Sequence, residues 1–311
     1  MDTRPIGSLS VTTVGLGCNN FGWHIDDGAA QAVVDAALDA GIDHFDTAEL
    51  YGEGASERFL GRALGARRKD VVVASKFGLG TDARPATARR SCEASLRRLN
   101  TDYIDLYYLH RPDADTPIAD TLGELSRLRD EGKVREVACS GFTAEQLREA
   151  ASAKTGAHFA AVQNEFSLLE RGPETDGTLA ASEELGVSFV PYFPLKSGLL
   201  TGKYRLGEDA PTGSRLGGVA GSRFEGSGDK LLTRDNLEAV ERLVGFAARR
   251  GHTLLDLAFA YLLAHAPVAS VIAGATKPEQ IRGNVAAASW ALDGDNLGEL
   301  REVLVGVGTQ R

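Results

Sequence analysis

Cysteine is scarce: Cys18, Cys92 and Cys139 are the only three in 311 residues, far apart and in no C-x-x-C or metal-ligand spacing. That pattern excludes a disulfide framework and argues against a zinc site or any other bound metal. A reducing cytoplasm is the expected setting. Long apolar runs are also lacking. The opening M-D-T-R-P-I-G-S-L has no apolar stretch of the kind a signal peptide needs. The most apolar late segment, Phe259 to Ala275, is interrupted by His265 and Pro267, which suits a helix, turn and strand better than a membrane span. Positive charge is in deficit, with 34 Lys and Arg against 43 Asp and Glu and a net charge of −9. Non-specific attachment to nucleic acid or an anionic membrane is therefore not expected. Two phosphate-binding signatures are missing as well. Gly15-x-Gly17 is followed by Cys18, Asn19 and Asn20 rather than by a third glycine, so a Rossmann opening fails. The glycine-rich stretch 205–230 holds no G-x-x-x-x-G-K-[ST].

What the chain does contain is alternation. Short β-branched runs recur at Val14 to Gly17, Asp43 to Asp46, Val71 to Lys76, Tyr103 to His110, Val134 to Ser140, Ala160 to Gln163, Ser188 to Tyr192 and Ala269 to Ile272. Between them, segments such as Gly28 to Ala40, Ala86 to Leu99, Ala119 to Arg129 and Ala144 to Ala153 space their apolar residues at helical intervals. Eight strands alternating with helices, with no break in composition, predict one α/β domain over residues 1–311: a (β/α)8 TIM barrel rather than a doubly wound sheet. Such barrels reach this length as single units. The tail after Asp293 is amphipathic at Leu297, Leu300, Val303 and Leu304, and predicts a C-terminal helical extension outside the barrel.

Four polar residues follow directly on these strand candidates. They are Asp46 and Tyr51 in D-T-A-E-L-Y-G, Lys76 in V-V-V-A-S-K-F-G, and His110 closing Y-I-D-L-Y-Y-L-H. Reactive side chains at successive strand ends are where a barrel enzyme carries its chemistry. In this order the strings resemble the active site of the aldo-keto reductases. The strings S-L-R-R-L-N-T-D-Y-I-D-L at 95–106 and Q-N-E-F-S-L-L-E-R at 163–171 extend the resemblance over nearly the whole chain. It implies NADP-dependent reduction of an aldehyde or ketone, with a small-molecule carbonyl substrate and a protein that is a monomer or small homo-oligomer. It also implies an N-terminal β-hairpin, here Pro5 to Thr13, closing the barrel floor.

The residue types suit that chemistry. Reduction places a hydride on carbon and a proton on oxygen, and a free tyrosine with a pKa of about 10 is a poor acid at neutral pH. An adjacent ammonium lowers the tyrosine pKa, and a carboxylate keeps the ammonium charged and oriented. Tyr51, Lys76 and Asp46 fit those roles, and His110 can polarise the carbonyl.

The resemblance also implies the cofactor contacts. In Y-F-P-L-K-S-G-L-L-T-G-K-Y at 192–204, Tyr192 corresponds to the aromatic that stacks on the nicotinamide, while Leu195, Ser197, Gly198, Leu199 and Lys203 lie on the pyrophosphate loop. Ser140 and Gln163 correspond to carboxamide contacts, although the family's Ser-Asn pair is here Ser140-Gly141. In I-A-G-A-T-K-P-E-Q-I-R-G-N at 272–284, Gly274, Thr276 and Lys277 would approach the ribose phosphate, and Gln280 and Asn284 the adenine. Pro278 suits a first helical turn, which leaves N–H groups free near an anion. Lys277 at that helix start favours a 2′-phosphate, hence NADP (NADPH) over NAD.

Residues 205–230 are expected to form a glycine-rich lid loop. Trp23 is expected to line the substrate pocket, with the loops at Arg111 to Thr116 and 205–230 setting specificity. His44, His158, His252 and His265 are expected to be structural, with His24 open, and Trp290 is expected to pack a C-terminal helix. Two alternatives accompany the reductase reading: an NAD-linked sugar or alcohol dehydrogenase of the same family, and a non-catalytic nicotinamide-binding regulatory subunit.

Overall fold

The computed structural model describes residues 1–217 and 227–305. A hairpin comes first, with β1 (Thr3–Ile6) antiparallel to β2 (Leu9–Thr12). Eight parallel strands follow: β3 (Val14–Gly17), β4 (His44–Asp46), β5 (Val72–Phe77), β6 (Ile104–Leu109), β7 (Val134–Ser140), β8 (Ala161–Glu165), β9 (Ser188–Tyr192) and β10 (Val271–Gly274). From β3 to β9 each pairs with the next, and β10 returns to β3 in register Val271↔Val14 to Gly274↔Gly17. A bridge between Phe189 and Val268 closes the ring, with Phe189 N–H donating to Pro267 O and Ala269 N–H to Phe189 O. The result is a (β/α)8 barrel.

Helices cover the outside, and their starts are written locally. Asp26 accepts from Ala29 N–H to begin the helix Asp27–Asp39, and Thr143 with Gln146 forms a reciprocal cap on Ala144–Ser152. Pro85 and Pro278 occupy first turns, where a missing N–H costs nothing. Asp293 caps the last helix, Gly294–Val303, which sits on the helical layer through Leu300.

Period-two alternation sorts each strand into two faces. Val73, Phe77, Tyr107, Val137, Cys139, Val162 and Phe189 pack outward against the helices. Val72, Ala74, Leu106, Tyr108, Ala138, Ala161, Val190 and Ile272 form a separate inner cluster with Ile6, Leu9 and Val11 of the hairpin. The hairpin therefore fills the bottom of the barrel, each of its three apolar side chains contributing about 1.5–3 kcal/mol of burial. The inner face continues upward into Asp46, Lys76, His110, Ser140, Gln163 and Tyr192, so one parity carries both the inner core and the polar residues above it.

Several expected boundaries move by one or two residues. The last strand is Val271–Gly274 rather than Ala269 to Ile272, because Ala269 is spent on closing the barrel against Phe189. Among the described residues no helix is long and apolar enough to cross a membrane, and no cluster of His, Cys, Asp and Glu could hold a metal. The three cysteines are buried thiols.

Candidate active site

Asp46 ends β4 and Lys76 lies near the end of β5, both pointing into the barrel with almost no exposure. Lys76 Nζ donates to Asp46 Oδ1 and to the Thr47 carbonyl at 3.0 Å. Burial by itself would pull the Lys76 pKa down. The charges of Asp46 and Tyr51 and the hydrogen bonds to both outweigh it and raise the pKa above the ordinary lysine value. The ammonium is therefore a permanent positive charge inside the barrel. It lies 5.2 Å from the centre of the Tyr51 ring and 5.6 Å from that of Tyr108.

Tyr51 opens a short 3-10 turn whose next three residues, Gly52, Glu53 and Gly54, all have left-handed backbones with φ of 58°, 53° and 81°. Such a run is costly outside glycine and persists only when its surroundings fix it. Glu49 Oε1 accepts from Gly78 N–H at 3.3 Å, and the Arg98 stem lies against Gly54. Behind the turn, fully buried Glu57 accepts from Ser75 Oγ at 2.6 Å and from Arg98, tying the helix Ala55–Leu64 to the strand that carries Lys76.

His110 is set by its own N–H, which donates to Phe77 O at 2.7 Å. Its ring meets Tyr51 edge-on, with centroids 6.0 Å apart and planes at 82°. Trp23 approaches Tyr51 from the first loop at 5.7 Å. All four residues of the expected tetrad and the expected pocket tryptophan thus converge at the C-terminal end of the strands.

The other expected residues surround this centre. Ser140 ends β7, and Gly141, at φ 72°, donates its N–H to Gln163 O and to Asn164 Oδ1. The Gln163 side chain turns to Asp46, donating from Nε2 to Oδ2 at 2.9 Å. Tyr192 ends β9 half-exposed, and the loop after it places Phe193, Lys196 and Ser197 at positive φ before Gly198. Leu195, Ser197 and Gly198 are partly exposed on this loop, Leu199 is fully buried in the helical-side core, and Lys203 reaches over the Tyr204 ring. After β10, the N–H groups of Thr276 and Lys277 and the Thr276 hydroxyl all point at one oxygen, Gln280 Oε1, at 2.7–3.2 Å. A Cβ on Gly274 would crowd Asn20 and Asn19 at 3.1 and 3.2 Å. Asn284 is buried on the helix that follows.

Three features escaped the sequence reading. Tyr108 lies two residues before His110 and so on the same inner face, a signal the period-two pattern contained. Arg215, inside the segment expected to be a lid, donates to Asn20, which in turn donates to Ala275 O at 3.2 Å. Leu216 is buried, and its N–H donates to Tyr204 Oη. Residues 218–226 of that expected lid lie outside the described residues. The third is the Gln163–Asp46 bond. Trp290 stacks on His252 at 4.0 Å with planes 4° apart, joining two inter-helix turns.

A family model for the aldo/keto reductases matches residues 13–305. The chain belongs to the aldo/keto reductase family. It is accordingly an NAD(P)H-dependent oxidoreductase. Among curated proteins it is 34% identical over 310 residues to a probable aldo-keto reductase 1 of Glycine max, covering 95% of this chain and 86% of that one. It is 35% identical over 279 residues to a probable voltage-gated potassium channel subunit beta of Oryza sativa subsp. japonica, covering 86% and 84%. Among solved structures, the glycerol dehydrogenase of Gluconobacter oxydans superposes with a TM-score of 0.83 at 30% identity, covering 100% of this chain and 97% of that one. An aldo/keto reductase from Klebsiella pneumoniae, solved in complex with NADP and acetate, gives 0.77 at 28% identity, covering 97% and 94%. In this aldo/keto reductase the eight-stranded barrel matches that of its structural relatives.

Proposed function

We infer that the protein reduces an aldehyde or ketone to the alcohol with NADPH. The observation that carries this reading is the buried Lys76–Asp46 pair directly beneath the Tyr51 ring, at the mouth of the barrel. An ammonium held there favours loss of the phenolic proton, and the paired carboxylate keeps the ammonium charged.

The residues fit the cofactor. The donors of Thr276 and Lys277 already converge on an oxygen, as they would on a phosphate at a helix start. Gly274 leaves space that a side chain would fill, and the left-handed residues Phe193, Lys196, Ser197 and Gly198 shape the partly exposed loop beside Tyr192. By family resemblance Tyr192 would stack on the nicotinamide, with Ser140 and Gln163 at its carboxamide. Leu195, Ser197, Gly198, Leu199 and Lys203 would lie along the pyrophosphate, and Gly274, Thr276, Lys277, Gln280 and Asn284 at the adenosine end. Bound NADPH supplies the hydride. Tyr51 gives the proton to the carbonyl oxygen, Lys76 and Asp46 set how readily it does so, His110 orients that oxygen, and Trp23 walls the pocket. The exposed Lys277 favours a 2′-phosphate over none.

Likeness to a glycerol dehydrogenase supports a second reading, in which the same residues run the reaction towards oxidation with Tyr51 as proton acceptor. Fluorescence titration with NADPH and NADH, followed by turnover on a panel of aldehydes, ketones and polyols, tests both. Tight NADPH binding with carbonyl turnover supports the reductase. Turnover of polyols alone favours the dehydrogenase, and binding without turnover favours a regulatory subunit.

A further inference from the structure

Asp46 is held from two sides. Lys76 takes Oδ1, and Gln163, 117 residues further on, donates to Oδ2 at 2.9 Å. A carboxylate can only accept, so the nitrogen end of the amide faces Asp46 and Oε1 faces away. Gln163 is 2% exposed, and its backbone carbonyl is fixed by Gly141 N–H at 3.1 Å. The bond thus spans the barrel interior from β8 to β4 and is positioned by strand backbone at both ends.

We propose that Gln163 is a positioning residue for proton transfer: its amide takes up part of the Asp46 charge, so that the field of Lys76 prevails at Tyr51. This rests on the reading of Tyr51 as proton donor. A hydrogen bond donated to a carboxylate spreads its charge and stabilises the ionised form. Without that donor, Asp46 opposes Lys76 more fully, and the Tyr51 proton is held more tightly. The Gln163 amide also faces the Tyr108 hydroxyl, and its Oε1 points away from Asp46, so a carboxamide contact through that oxygen and this role are compatible.

The groups facing the pair leave it in control. His44, on β4, is kept neutral because burial lowers its pKa more than nearby carboxylates raise it. Tyr108, from β6, and Cys18, beyond β3, are pushed well up by burial first and by the Asp46 charge second, and stay protonated. His110 flanks Tyr51 from the loop after β6, and Tyr192 from β9 is raised by burial and by Glu165, against the opposing charge of Arg111. Glu49, below the Tyr51 turn, is raised by burial. Lys76 and Asp46 are the fully buried charged pair directly beside the Tyr51 ring.

The test is a pH titration of the near-ultraviolet tyrosinate band in protein without nucleotide, with Tyr51 isolated as the difference between each protein and its Tyr51→Phe counterpart. Gln163→Met keeps length and removes the donor, and should move the Tyr51 transition up by about half a unit to one unit. Gln163→Glu adds a second carboxylate and should move it further the same way. An unmoved transition in both variants, with the loss confined to NADPH affinity, would overturn the proposal and leave Gln163 as a cofactor contact. Because the titration needs no turnover, failure of the wild type to reduce any carbonyl would sink the reductase reading separately.

Discussion

Gly22 and Gly52 meet backbone to backbone: a Cβ on Gly52 would lie 3.1 Å from Gly22 Cα, and one on Gly22 would lie 3.3 Å from Gly52 Cα. The first loop, which carries Trp23, and the turn that carries Tyr51 are thereby locked together. Gly52→Ala would add a methyl 2.9 Å from the Phe21 carbonyl at a φ of 58°. Its expected cost is roughly 1–3 kcal/mol of stability. Thermal melting should fall accordingly, and turnover should fall more than NADPH affinity, because the displaced group is the proposed acid and not the proposed cofactor site. Equal losses in both would show that the glycine contact supports the whole barrel mouth.

Tyr51→Phe keeps the ring against Trp23 and His110 and removes the hydroxyl. Turnover should fall by about 10² or more with cofactor affinity largely intact. Steady-state kinetics beside fluorescence titration checks this, and near-normal turnover would remove Tyr51 from its role.

Lys277 is exposed at the start of the helix Pro278–Ala287, with its N–H already aimed at an oxygen. Lys277→Ala should weaken NADPH about tenfold or more and change NADH little, the loss of one charge-assisted contact to phosphate. Equal weakening of both nucleotides would remove the argument for NADP preference.

Glu174 gives a pH signature unrelated to the active site. Burial pushes its pKa up, but hydrogen bonds from His265 and Arg171, with the Tyr261 hydroxyl nearby, overcome burial and hold it at about 2, against an ordinary 4.5. A depressed carboxylate contributes stability above its unfolded pKa and loses it as pH falls through the folded one. That amounts to up to roughly 3 kcal/mol, present at neutral pH and gone near pH 2. Urea midpoints measured from pH 6 to pH 2 should drop steeply in the wild type and more gently in Glu174→Gln. Parallel curves would place the acid-sensitive group elsewhere.

The barrel and its tetrad were legible because both follow short-range rules. Period-two alternation marks the strands, and reactive residues fall at their ends, so Asp46, Lys76 and His110 needed no knowledge of distant contacts. The Gln163–Asp46 bond could not be read this way, since its partners are 117 residues apart and meet only once the ring closes. Arg215 was hidden by its glycine-rich surroundings, which suggest a loose loop and not a side chain anchored to Asn20. The displaced start of β10 has the same origin: Ala269 looks like strand locally, but ring closure assigns its N–H to Phe189.

The hairpin at the base of the barrel has a kinetic consequence. Ile6, Leu9 and Val11 join Val72, Ala74, Leu106 and Tyr108 in an apolar stopper under Lys76 and Asp46. It closes off solvent from below, so in the proposed role of Tyr51 as acid its proton would be replenished from the loop side of the barrel. Recharging the acid between turnovers thus becomes a property of the loops that admit substrate. Solvent access, product release and reprotonation share one doorway, and a substitution at the rim can slow the cycle without touching the tetrad.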